Sequence, residues 1–272
     1  MPTLPLFRWT SVCAGLVLSA ALVSCSTTAP PSPAAVAREL APSGTLRAAI
    51  NVGNPILAAR GPAGGDPTGV SVDLAREIGR RLGVPVQFIV YDAAGKVTAA
   101  ATSDAWDIAF LAIDPVRGAD ILQTPPYVVI EGAYLVRSGS PIVDNAQVDR
   151  DGVRIAVGQG SAYDLFLTRE LKHATLLRVP TSPAVVDAFL KQDLEVAAGV
   201  RQQLEADATR LSGAGLRMLP GRFMVIEQAI GTPKGRNLGV AWLRPFVEAM
   251  KSDGFVADSL KRHRIEGAAV AP

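Results

Sequence analysis

From Gly44 onward, short apolar runs alternate with segments whose apolar residues fall four apart, the period of a helix packed on one face. Leu46–Val52 reads as a strand, and the stretch after it, NPILAARGPAGGDPTG, is crowded with Gly and Pro and reads as a loop. Leu74, Ile78 and Leu82 then share one face of a helix expected over residues 72–82, with Arg76, Arg80 and Arg81 turned outward and Gly83 and Pro85 ending it. Val86–Tyr91 is a second strand, Lys96–Ser103 a short helix, and Ile108–Ile113 a third strand, apolar throughout as in a sheet covered on both faces. Strand and helix alternating at these lengths imply βαβ units and a mostly parallel sheet, an α/β fold.

The second half repeats this grammar. Val153–Val157 is a strand, Gly158-Gln159-Gly160-Ser161 a tight turn, and a helix follows through Leu171. Ser182-Pro183 starts another helix, with Val185, Val186, Phe189 and Leu190 as its buried face. Glu195–Gly199 is a short strand and Gln202–Leu211 a polar helix. Leu216–Leu219 and Phe223–Ile230 are further strands, the second long enough to leave one domain and enter another. Helical spacing returns from Val240 to Met250, where Pro245 should kink the helix or mark its start, and Gly254 separates a last helix, Phe255–Arg262.

Two places in this pattern suit an anion. Asp114-Pro115 breaks the third strand abruptly, and open α/β sheets bind ligands beyond the carboxyl ends of their strands. Arg117 follows, a permanent charge with donors arranged to grip a carboxylate or phosphate by two bonds. The same residues also make an ordinary helix start, which would leave Arg117 solvated. The second place is Gly160, Ser161 and Ala162, where a strand, a glycine turn and a helix N-terminus offer amide donors and a dipole's positive end. Here too there is a plainer reading: Ser161 with Asp164 fits a capping box, and Asp164 would take those donors itself.

The N-terminus carries Arg8, an apolar run over residues 9–23 and then Leu-Val-Ser-Cys ending at Cys25. The run falls short of the ~20 residues of a membrane span and reads as a secretory signal over residues 1–24. The Ser/Thr/Pro/Ala-rich segment after it reads as a disordered tether over residues 25–43. Cys13 and Cys25 are the only cysteines and His173 and His263 the only histidines, so neither a disulfide framework in the folded part nor a site of several imidazoles or thiolates is expected. No metal or cofactor is expected. A net charge of +2 without any basic, aromatic-laced run gives no support to nucleic-acid binding.

In order, the chain shows GTLRAAI from Gly44, GVSVDLA from Gly69, WDIAF from Trp106, Arg117 with Pro126-Tyr127 beyond it, VRIAVG from Val153 before Gly160-Ser161, and GTPKG from Gly231. As an ordered set these resemble the extracellular solute-binding proteins that serve polar-amino-acid ABC importers, over about residues 44–264. The box at Cys25 similarly resembles that of bacterial lipoproteins, whose cysteine becomes the acylated first residue. The resemblance implies two α/β lobes joined by two crossing strands, near Ala133–Arg137 and Met224–Ile230. The first lobe would comprise residues 44–135 and 227–272 and the second residues 136–226. It implies that Arg117 grips a ligand carboxylate from one lobe and the amide at Ser161 from the other. It also implies an exported, lipid-anchored monomer on the periplasmic side of the envelope, delivering a small anionic or zwitterionic solute to a permease of the inner membrane.

The chain departs from the family pattern in three places. Ala112 stands where a hydroxyl residue is usual, Val200 where an aspartate usually pairs the ligand's ammonium, and Ile56 or Leu57 where an aromatic often stacks. The carboxylate half of an amino-acid site is thus kept and the ammonium half is not. Asp114, Glu131 and Glu227 are the carboxylates that could replace the aspartate, Asn54 a loop residue with both donors and acceptors. A receptor of carboxylate-bearing solutes, amino acids among them, is the leading reading. An enzyme on the same scaffold, similar to the dehydratases of cyclic carboxylates and using Glu131 or Glu227 as acid or base, is the rival, and a partner-binding lipoprotein without a transport role is a third.

Overall fold

The computed structural model describes residues 1–3 and 32–272. The expected signal segment and Cys25 lie outside the described residues. In chain order the first half builds α1 (Pro33–Leu40), β1 (Leu46–Asn51), α2 (Val70–Leu82), β2 (Val86–Tyr91), α3 (Ala94–Ala99), β3 (Ile108–Ala112) and β4 (Ile121–Arg137). The second half builds β5 (Arg154–Gly158), α4 (Ala162–Glu170), β6 (Thr175–Val179), α5 (Val185–Lys191), β7 (Val196–Val200), α6 (Arg201–Arg210), β8 (Leu216–Met218) and β9 (Met224–Pro233). The chain ends with α7 (Asn237–Ser252), α8 (Phe255–Arg262) and β10 (Ala269–Val270).

Hydrogen bonding joins the main strands in the order β2-β1-β3-β9-β4-β7-β5-β6. The β1/β2, β1/β3, β5/β6 and β5/β7 pairs are parallel, as the βαβ pattern requires. The two halves of that order are the two lobes, and only β4 and β9 belong to both. β9 pairs with β3 through Gln228–Gly231, and β4 pairs with β7 through Gly132–Leu135. Between those attachments, Val128–Gly132 and Met224–Gln228 pair with each other, antiparallel. β10 clips onto it at Val128 and Val129. β4 meets β7 from Gly132 onward.

Some expectations change. The tether expected over residues 25–43 is shortened by α1, which Ser32 caps and whose Val36 and Leu40 are fully buried. Its Glu39 carboxylate accepts from the Gly239 amide of α7. Composition missed this because the apolar pair in an Ala/Pro-rich run is legible only once α7 is there to cover it. β6 was not expected, and α2 begins at Val70. Pro245 neither starts nor stops α7, which runs through it; Trp242 and Phe246, stacked at 5.3 Å, pack across that turn.

The outward-facing side of α2 makes a pH-dependent contribution to stability. Glu77 accepts hydrogen bonds from Arg80 and Arg81 at 2.7–2.8 Å, which hold its carboxyl at about 2, against an ordinary 4.5, with the Arg80 bond the larger cause. A carboxyl depressed in the folded state stabilises above its unfolded value, and that contribution is lost as pH falls through the folded one. The urea midpoint of Glu77→Gln should therefore lie below wild type at pH 6 and merge with it as pH falls from 4.5 toward 2. A gap that stays constant with pH would contradict this.

Candidate ligand site

The carboxyl ends of β1, β3, β5 and β7 converge on one cavity between the lobes, as expected for parallel strands whose helices begin there. Its volume is about 40 Å³, room for a few water molecules. Asn54 and Leu57 come from the loop after β1, Ser71 from the start of α2, and Phe110, Leu111 and Ala112 from the end of β3. Arg117 enters from the turn after β3, while Ser161, Ala162 and Tyr163 form the first turn of α4. Val200 closes it from the end of β7, and Ile226 and Gln228 from β9.

Arg117 is 1% exposed. Its Nη1 donates to the Ala112 carbonyl and its Nη2 to the Gly160 carbonyl, each at 2.9 Å, while its buried Nε has no hydrogen-bond partner. Gln123 donates to the same Ala112 carbonyl at 3.2 Å and braces it. Burial pulls the guanidinium down to about 10, opposed by the Asp114 carboxylate, so it keeps its charge at neutral pH. A charge this deep with a donor left over is suited to one more acceptor, and an anion suits it best. Of the two sequence readings of Arg117, the solvated one is excluded.

At the α4 terminus the capping reading is realised. Ser161 Oγ caps the Asp164 amide at 3.0 Å, and Asp164 Oδ2 accepts from the Gly160 amide at 2.8 Å. The Ser161 amide is consumed by the Gly158 carbonyl. This differs from the amide role the family resemblance gives Ser161. Ala162 and Tyr163 open the helix, so their amides have no intrahelical acceptor, and both residues line the cavity. Tyr163 is held by its hydroxyl on Ser182 at 2.8 Å.

The three candidate carboxylates are not among the lining residues. Glu227 is exposed while Gln228, its neighbour on β9, is buried. Successive residues of a strand face opposite sides, so the cavity side belongs to Ile226 and Gln228. Glu131 lies opposite Val225 in the ribbon, hence on the face of Glu227. It is paired with Arg201 at 2.7 Å and Arg222 at 2.8 Å, which hold its carboxyl below the usual range. Asp114, 5% exposed, accepts from the Val116 amide at 2.8 Å and pairs with Arg169 of α4 at 2.9 Å. Among the described residues, no Asp, Glu or His lines the cavity. Sequence reasoning missed Ser71, Tyr163, Gln203 and Gln228; only Gln228 carried a legible signal, the period of two that separates it from Glu227.

Three contacts bridge the lobes at this point: Arg117 with Gly160, Asp114 with Arg169, and Gly95 of α3 against Gly160. A Cβ on Gly160 would lie 2.6 Å from the Gly95 Cα, so the backbones meet where no side chain fits. The Asp114–Arg169 pair is partly exposed on the arginine side, which limits its strength. Arg169→Gln should therefore weaken ligand binding only several-fold by titration calorimetry, with the loss shrinking as salt rises. A loss as large as that from removing Arg117 would mean the pair is itself part of the ligand site.

Residues 46–264 match the model of the bacterial extracellular solute-binding proteins, family 3. The chain belongs to that family. Among solved structures, the L-cysteine solute receptor of Neisseria gonorrhoeae is similar at a TM-score of 0.72 and 21% identity, over 85% of this chain and 93% of that one. A binding component of an ABC transporter from Wolinella succinogenes DSM 1740, complexed with lysine, gives 0.69 and 20%, over 80% and 95%. An ancestral amino acid-binding protein, a precursor of cyclohexadienyl dehydratase, gives 0.68 and 19%, over 82% and 97%. At these identities the likeness shows the fold, the two-lobed periplasmic-binding-protein architecture. No curated protein matches the sequence.

Proposed function

We propose that this solute receptor serves an ABC importer and closes on a small carboxylate-bearing solute held by Arg117 and the first-turn amides of α4. The observation that carries this reading is the buried guanidinium whose Nε lacks a partner, in the same cavity as the amide end of a helix from the opposite lobe. Closure follows from differential affinity: both donors reach one carboxylate only when the lobes meet, so a bound acid favours the closed state. Arg117 Nη2 is held by the Gly160 carbonyl, so the unpartnered Nε is the donor left for the solute. The receptor would work as a lipid-anchored monomer, tethered through Cys25 on the periplasmic side of the envelope and docking on an inner-membrane permease. Among the described residues no Asp, Glu or His lines the cavity, so neither Glu131 nor Glu227 is placed to act as the acid or base of a dehydratase. A thermal-shift screen of organic and amino acids tests the proposal. Carboxylic acids should raise the melting temperature in proportion to the logarithm of their concentration, and their amides should not. Stabilisation by the amide as strong as by its acid would refute it.

A further inference from the structure

The charges around the cavity bear on which carboxylic acid it takes. Arg117 is the one ionised side chain among the described lining residues. A monocarboxylate neutralises it, whereas an α-amino acid brings its own ammonium and leaves one positive charge over. Buried or half-buried carboxylates stand close by, but each is already committed. Asp114 is divided between the Val116 amide and Arg169. Asp164 gives one oxygen to the Gly160 amide and the other to Arg178 at 2.9 Å. Glu131 is shared between Arg201 and Arg222. None is left for an ammonium, and burying that group without a counter-charge costs several kcal/mol.

What the cavity offers instead is neutral. Val200 presents an alkyl side chain from the end of β7, and the Asn54 side-chain oxygen is buried without a partner. That oxygen can only accept, so a hydroxyl on the solute would satisfy it and a carbonyl would not, and a buried acceptor left without a donor is costly. We infer that the solute is a carboxylic acid lacking an amine, with a hydroxyl in place of the ammonium, such as a 2-hydroxy acid. This rests on the carboxylate reading given above and narrows it.

The test is titration calorimetry of the full mature chain with matched acids of one carbon skeleton: lactate, pyruvate and alanine, and likewise the leucine and phenylalanine series. The hydroxy acid of at least one series should bind at least tenfold more tightly than its amino acid, and more tightly than its oxo acid. In Val200→Asp, which places a carboxylate on the cavity wall, the amino acid should gain and its amine-free counterpart lose at least tenfold. A wild-type protein that prefers the amino acid, with binding lost in Arg117→Ala, would overturn this inference and leave the carboxylate reading standing. An order of preference unchanged in Val200→Asp would equally contradict it. If acids of both kinds bind and neither is affected by Arg117→Ala, the carboxylate reading itself fails.

Discussion

Arg117→Ala is expected to weaken binding of the best carboxylic acid by a hundredfold or more, about 3 kcal/mol, the usual cost of deleting one partner of a buried, hydrogen-bonded charge pair. The guanidinium is 1% exposed and its Nε makes no bond within the protein, so the acid's oxygens would meet it without competing water. Arg117→Lys separates charge from geometry. An ammonium keeps the attraction and loses the planar fork, so its affinity should fall between the other two. The fold should survive both changes, because the Ala112 carbonyl released by Arg117 keeps its bond from Gln123. Calorimetry gives the affinities, and thermal unfolding without ligand gives the control. Equal affinity in wild type and Arg117→Ala would exclude the arginine from the site.

Gly160→Ala should cost about tenfold in affinity or more by opposing closure. Its Cβ would lie 2.6 Å from the Gly95 Cα across the cleft, a separation that backbone atoms do not tolerate. Gly160 also has a φ of +67°, a conformation that costs an alanine roughly 1–2 kcal/mol wherever it occurs. Gly221 provides the matched control: its φ is also +67°, and a Cβ there meets nothing within 4 Å. Gly221→Ala should lower stability by a similar amount and leave affinity unchanged, so the difference in binding between the two variants isolates the clash between lobes. Similar affinities in the two would mean that the ligand-bound state is not the closed arrangement seen here.

The α/β class was legible because its signals are local. The parallel pairs arise from short apolar runs separated by amphipathic helices, and Leu74, Ile78 and Leu82 are buried as their spacing implies. β4 was the largest element left partly unread, since Pro125 and Pro126 argue against a central strand; the register shifts between Gln123 and Val128 are how the sheet accommodates them. In the site, Arg117 and the α4 terminus could be named from strand ends and glycine turns. The fate of the carboxylates could not. Whether Asp114, Glu131 or Asp164 is free depends on Arg169, Arg201 with Arg222, and Arg178, and three of these four pairs join residues 55, 70 and 91 positions apart. Glu227 and Gln228 show the finer limit: a strand's alternation can be read from sequence, but which of its faces meets the ligand is set by neighbours on other strands.

The central claim is that one carboxylate is gripped from both lobes at once. A ¹⁵N-edited NMR titration tests it with the acid that gives the largest thermal shift, following the Arg117 Nε–H and the Ala162 and Tyr163 amides together. The account predicts that all three resonances move with the same midpoint, the Nε–H downfield as it gains its acceptor. Saturation of the protein by that acid with the Arg117 Nε–H unmoved, or with neither α4 amide responding, would contradict it.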